Sequence, residues 1–127
     1  MEKKVVCCDS NVLIDLFHRE ERTVQEIDFL GYERLCISSV TVLEMYVGMR
    51  KSEAAKTRQL INRFNLFHFD KEISRRCTSL VYQYGNRLSI PDAIIAATVL
   101  TQGLELFTRN TQDFNFIPGL KLYRPRF

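Results

Sequence analysis

At 127 residues the chain matches one ordinary domain, long enough to remove roughly two thirds of its extended-chain surface from water. The types AVILMFWYC make up 46% and DEKR 26% of it, a globular composition with no Pro/Gly/Ser-rich or charge-block linker, so a single domain over 1–127 is expected. A net charge of +3 admits a polyanionic partner without arguing for one, and the uncharged runs Ile37 to Leu43 and Ala93 to Leu104 fall short of the ~20 apolar residues of a membrane span.

In chain order, Lys4 to Cys8 is a short apolar run with β-branched residues, ended by Asp9-Ser10-Asn11, three side chains that each suit a helix N-cap. Val12, Leu13, Leu16 and Phe17 continue at helical spacing. A second helix carries Val24, Ile27 and Leu30 up to Gly31, and Leu35-Cys36-Ile37 is the next strand. Ser38-Ser39 caps a helix with Val40, Leu43 and Val47 on one stripe and Val42, Met45, Tyr46 and Met49 on another. Apolar over most of its circumference, it is expected to be buried between partners.

Ser52 is expected to cap a further helix through Phe64, followed by an aromatic strand at Leu66 to Phe69. Asp70 opens a helix with Ile73, Cys77, Leu80, Val81 and Tyr84 on its face. Ile90-Pro91-Asp92 starts another, running to Gly103, in which Ala93, Ala96 and Ala97 allow close packing. Leu104 to Phe107 and Leu120 to Tyr123 are the last strands. Strands separated by helices imply right-handed crossovers, and hence an α/β fold: a three-layer α/β/α sandwich on a parallel sheet of about five strands.

Cys7 and Cys8 point to opposite faces of their strand, and Cys36 and Cys77 lie in apolar surroundings, so all four read as small core residues in a reduced compartment. The apolar stretch before Asp9 is too short for a signal-peptide core, and a cytoplasmic protein is expected. With no Cys-x-x-Cys, and with His18 and His68 standing alone, a zinc site is disfavoured.

The carboxylates carry the functional signal. In a doubly wound fold ligands bind beyond the carboxyl ends of the strands, where Asp9 ends the first strand and Asp113 follows the fourth. Asp92 is the only charged residue between Arg87 and Glu105, at the start of a helix. Asp9 as a plain N-cap and Asp92 as a first-turn residue favoured by the helix dipole are the structural alternatives. Glu44 falls inside the Val40/Val47 stripe, and a buried carboxylate needs a compensating cation, either a basic side chain or a metal ion. Four carboxylates without histidine or cysteine make an all-oxygen site suited to Mg²⁺ or Mn²⁺, whose chemistry is phosphoryl transfer.

Four segments then resemble one family in order. Cys8 to Asp15 looks like the first motif of PIN domains, and Ser38 to Gly48 is similar to the segment around the family's glutamate. Pro91 to Thr98 resembles its third motif, and Thr108 to Phe114, followed by Ile117 to Leu120, resembles its fourth. The resemblance spans Val5 to Leu122. It implies Asp9, Glu44, Asp92 and Asp113 as the catalytic, metal-binding acids, with Ser10, Asn11, Thr108 and Asn110 in support. Where many members carry a further acidic residue, this chain has Ile94, Ile95 and Ala96, which leaves the number of metal ions open. Members of this size resemble the VapC toxins, metal-dependent endoribonucleases that pair with a VapB antitoxin, dimerise and cut RNA. A homodimer is also expected from the apolar helix at Val40 to Met49 and the basic helix at Ser52 to Phe64.

Three alternatives stand beside this reading. A solitary PIN nuclease that processes RNA shares the same motifs. A non-catalytic PIN module that holds RNA or protein is opposed by the intact carboxylates. A phosphatase or receiver domain with a phosphorylated Asp9 is opposed by Asn11, which stands where such phosphatases carry a second aspartate.

Overall fold

The computed structural model describes residues 4–127; the sequence reading of the N-terminus bears partly on residues 1–3, which lie outside them. Five strands, β1 (Val6–Cys8), β2 (Leu35–Ser38), β3 (Asn65–Phe67), β4 (Glu105–Phe107) and β5 (Lys121–Leu122), form one sheet in the order β3-β2-β1-β4-β5. Every pairing is parallel, because each strand reaches its neighbour through a crossover rather than a hairpin. The helices are α1 (Ser10–Phe17), α2 (Glu21–Leu30), α3 (Ser39–Gly48), α4 (Ala54–Ile61), α5 (Lys71–Tyr84) and α6 (Ile90–Gln102).

Local chemistry starts and stops these helices. Side chains of Asp9, Ser38, Asp70 and Ser89 accept backbone N–H groups at the starts of α1, α3, α5 and α6, donors that would otherwise lack partners. Pro91 occupies the first turn of α6, and Gly103, at φ 65°, closes it in the left-handed region. Ser52 does not cap α4 as expected. Instead the Glu53 carboxylate reaches back to the Arg50 N–H at 2.8 Å, and a 3-10 turn over Lys51–Glu53 leads into the helix.

Side chains alternate across the sheet and build two cores. Cys7, Cys36 and Leu106 face α5 and α6, meeting Ile73, Cys77 and Leu80 and the small residues Ala93, Ala96 and Ala97. Val6, Cys8, Leu35, Ile37 and Phe107 face the other way, toward Leu13 of α1, Ile27 of α2, Met45 of α3 and Ile61 of α4. Each large apolar side chain buried in this way contributes about 1.5–3 kcal/mol. All four cysteines are free and buried, Cys7 and Cys8 on opposite faces as their adjacency required.

Helix α3 departs from expectation. Only Thr41 and Met45 are buried, while Leu43 is 64% and Val47 87% exposed. The helix touches α1, α4 and α6 along one narrow line, and a chain of this size has no further element to cover its opposite face. The apolar stripe used to infer the burial of Glu44 is therefore largely a surface. Glu44 is half-buried because it flanks the packed line, about 60° around the helix from Thr41.

Candidate active site

The chain builds the sheet outward from β1 to β3, then returns to place β4 on the other side of β1. That reversal opens a crevice at the carboxyl ends of β1 and β4. The register pairs Cys8 with Phe107, so the next residues along, Asp9 and Thr108, stand side by side, and the Asp9 N–H donates to the Phe107 carbonyl at 2.9 Å.

Asp9 is fixed by four donors. Its Oδ1 accepts the Ser10 N–H at 2.8 Å and faces the Ser10 hydroxyl at 3.5 Å, while Oδ2 accepts the Thr108 hydroxyl at 2.7 Å and the Asn11 amide at 3.2 Å. Thr108 Oγ1 in turn accepts the Asn110 N–H at 3.0 Å and the Asn11 amide at 3.3 Å. Asn11 Oδ1 accepts the Arg109 N–H at 3.2 Å. Ser10, Asn11, Thr108 and Asn110 are thus gathered where the sequence reading put them. Asn110 takes part through its backbone N–H. Asp9 caps α1 and at the same time stands at the carboxyl end of β1, so the N-cap reading and the site reading are compatible in one geometry.

The other three carboxylates arrive from separate elements: Glu44 from α3, Asp92 from the first turn of α6, and Asp113 from the 3-10 turn Thr111–Asp113 after β4. They lie near enough to one another for their charges to be felt. Burial first, then the charge of Asp9, push the Asp92 carboxyl up to about 6; the Ser89 hydroxyl opposes this, and Asp113 and Glu44 add to it. Burial also raises Glu44, with the Ser10 hydroxyl opposing and the charge of Asp9 adding. Asp113 itself is exposed at the mouth.

Two alternatives were open for Glu44, a basic side chain or a metal ion. Among the described residues the ion pairs are Lys4–Glu105 at 3.0 Å, Arg109–Asp15 at 3.1 Å and Arg126–Glu26 at 2.9 Å. None of them involves Asp9, Glu44, Asp92 or Asp113. Glu44 Oε1 is buried with no hydrogen-bond partner in the protein, an arrangement that costs free energy unless a cation or donor meets it. Among the described residues no three Asp, Glu, His or Cys side chains form a ready-made coordination shell. The donor chemistry nevertheless fits Mg²⁺ or Mn²⁺, since Mg²⁺ retains several waters and typically takes one or two carboxylates directly.

Three features escaped sequence reasoning. Arg109 pairs with Asp15, tying the loop after β4 to α1 across 94 positions, a contact no local pattern announces. Thr57 is buried on α4 with its hydroxyl unpartnered. Glu26 is only 1% exposed, and here a signal existed, because Thr23, Glu26, Ile27 and Leu30 share one helical face.

Comparison with known proteins identifies the family. The PIN domain family matches residues 6–119. The chain is 30% identical to "VapC ribonuclease Y4jK" of Sinorhizobium fredii, covering 95% of this chain and 97% of that one. It is 26% identical to "tRNA(fMet)-specific endonuclease VapC" of Salmonella typhimurium, with 90% and 92% covered. Among solved structures it is similar to a toxin-antitoxin complex from Klebsiella pneumoniae, with TM-score 0.81, 36% identity, and 94% and 97% of the two chains covered. DNA-bound VapBC from Salmonella typhimurium shares the fold, with TM-score 0.83, 23% identity, and 95% and 98% covered.

Proposed function

The chain belongs to the PIN-domain family, and from that membership we propose that it is a Mg²⁺- or Mn²⁺-dependent endoribonuclease, the toxin of a type II toxin–antitoxin pair. The observation that carries this is Asp9, held by Ser10, Asn11 and Thr108 at the crevice between β1 and β4, with Glu44, Asp92 and Asp113 brought near it from separate elements and no ion pair to any of the four acids among the described residues. Asp9, Glu44, Asp92 and Asp113 would hold the ion. When bound, it polarises the phosphodiester and lowers the pKa of a bound water. The protein holds Asp9 rigidly through Thr108, Asn11 and the Ser10 N–H, so the central ligand is oriented before substrate arrives. Asp113 at the mouth admits solvent and strand alike.

The partner follows from the same reading. The similarity to the Klebsiella complex supports a VapB-type antitoxin that covers the acidic crevice, with a guanidinium suited to fill it through paired hydrogen bonds. The exposed Leu43, Tyr46 and Val47 of α3 support a homodimer, since such a patch is costly to leave in water. Among the described residues no helix is long and apolar enough to cross a membrane, and the four free thiols suit the cytoplasm, where the RNA would be met.

The test is RNA cleavage by the purified chain with Mg²⁺ or Mn²⁺, with EDTA, and with the Asp9→Ala variant. Cleavage only by the wild type with metal is expected; equal cleavage by the variant removes the site. Growth on expression alone and together with the product of the adjacent reading frame then separates a toxin from a solitary processing nuclease.

A further inference from the structure

The loop that follows β4 carries an arginine tied to α1 at two points. The Arg109 N–H donates to Asn11 Oδ1 at 3.2 Å, and its Nε pairs with Asp15 Oδ2 at 3.1 Å. Asn11 and Asp15 lie four residues apart on one face of α1, so Arg109 is pinned to that face by backbone and side chain together. Asn11 is also the residue whose amide meets Asp9 Oδ2 and Thr108 Oγ1, and Asp15 follows it by about 6 Å along the helix. The guanidinium is thereby set beside the network that holds Asp9, without an ion pair to any of the four acids. Resting on the nuclease reading, we propose that Arg109 binds a phosphate of the RNA strand, one neighbouring the phosphate that is cut.

The pair with Asp15 is made through Nε, and among the described residues neither Nη nitrogen donates to a protein acceptor. The Arg109 side chain is 57% exposed, so those donors are open to a ligand from solvent. Arg63, Arg87 and Arg126, by contrast, lay their guanidinium groups over aromatic rings. An ion pair as exposed as that with Asp15 adds little to stability; what it does is fix the direction of the fork. The strand supplies the need for a cation there. RNA brings a negative charge with every nucleotide to a crevice that already gathers Asp9 and three further acids near it. A metal ion meets that charge at the cut phosphate, whereas a neighbouring phosphate faces the acids uncompensated unless a basic group stands by. A guanidinium matches a phosphate with paired N–H···O bonds, and contacts of this kind set the register of a strand without reading its sequence.

Because the bond to Asn11 comes from the backbone N–H, substitution of the side chain leaves that bond in place. Arg109→Gln removes the charge and the fork, and Arg109→Lys keeps the charge alone. Each variant is given a short RNA that the wild type cuts, and the same RNA with a neutral methylphosphonate at one linkage in turn. Binding of all these RNAs is measured in parallel in an Asp9→Asn background, where cutting is slow.

For the wild type, neutralising one particular linkage beside the cut is expected to lower kcat/KM and binding roughly tenfold. Arg109→Gln should lose that same factor on the all-phosphate RNA and nothing further once that linkage is neutral. Its plot of log affinity against log salt should also be shallower by about 0.7. Arg109→Lys should fall between the wild type and Arg109→Gln. Equal losses on every RNA, or none on any, overturn the phosphate contact while leaving the nuclease reading intact. If no RNA is cut but Arg109→Gln abolishes the linkage-specific part of binding, the nuclease reading fails and the contact stands. If Arg109→Gln spares RNA and weakens only inhibition by an antitoxin, the arginine serves that protein and the inference is wrong.

Discussion

Glu26 and Glu44 are both taken from water by the fold, yet they are treated in opposite ways. Glu26 on α2 receives the Tyr123 hydroxyl, the Arg126 N–H at 3.2 Å and the Arg126 guanidinium at 2.9 Å. These bonds strap the C-terminal segment to the helix, and the Arg126 guanidinium also stands 3.6 Å from the Phe29 ring centroid. Burial pushes the Glu26 carboxyl up, but the bonds from Tyr123 and Arg126 outweigh it and hold it below its usual range. Glu44 has a buried oxygen with no protein partner, and its carboxyl lies above its usual range. A fully partnered buried carboxylate is part of the architecture. One with a buried oxygen left unpartnered, near three other acids, is the kind of group that a bound cation would complete.

The sharpest way to break this comparison is to neutralise each side. Asp9→Asn and Glu44→Gln should each lower RNA cleavage about 100-fold or more, since even groups that only orient metal ligands typically cost about 10–100-fold. Glu26→Gln should leave cleavage near wild type. Single-turnover rates with saturating Mn²⁺ read this out, and comparable losses in all three variants would erase the distinction. Thr108→Ala, which removes the hydroxyl on Asp9, belongs between them at about tenfold.

Stability should separate the two carboxylates in the other direction. Glu26→Ala strands Arg126 and the Tyr123 hydroxyl and should cost about 3 kcal/mol, or about 10 °C in Tm. Glu44→Gln keeps the shape of the side chain and removes its charge beside Asp9, so it should leave Tm unchanged or raise it in metal-free buffer. Thermal unfolding of both variants in EDTA decides the matter, and a fall in Tm for Glu44→Gln to match Glu26→Ala would contradict the assignment.

The pH dependence sharpens the contrast further. Asp92, raised to about 6 from about 3.9 in an unfolded chain, favours its protonated form in the fold. Its contribution is present below about pH 4 and is lost as pH rises through about 6, amounting to about 1 kcal/mol once solvent screening of a half-exposed group is allowed for. Glu26, being lowered, contributes above its unfolded value of about 4.3 and loses that contribution as pH falls through its folded one. Asp92→Asn should therefore flatten the metal-free Tm between pH 4 and 7, and Glu26→Gln should flatten it on the acid side. Saturating Mg²⁺ should remove the Asp92 slope and leave the Glu26 slope.

The smallest expected effect is that of Thr57→Val, which removes a buried hydroxyl without a protein partner and should raise stability by about 1 kcal/mol. Chemical denaturation measures it, and a comparable loss would show that the hydroxyl is satisfied within the fold.

The sequence by itself determined the alternation of strands and helices, the parallel sheet that follows from it, and the caps at Asp9, Ser38 and Asp70. All of these depend on residues within one or two turns of each other. It also singled out Asp9, Glu44, Asp92 and Asp113, partly because an isolated charge in an apolar stretch such as Asp92 is locally conspicuous, and partly through ordered motifs. What it misjudged was α3. Periodicity identifies an apolar helix, but only the number and placement of neighbours decides whether one or both of its faces are covered, and Glu44 owes its half-burial to a different line of residues than the stripe suggested. Tertiary structure alone decided the partners. The meeting of Asp9 with Thr108 depends on the β1–β4 register. The pairing of Glu26 with Arg126 joins residues 100 positions apart, and the cleft lined by Ile14, Glu44 and Thr57 requires α1, α3 and α4 to come together. Contacts of that separation are set by the packing of the whole chain, for which no local pattern of residues carries a signal.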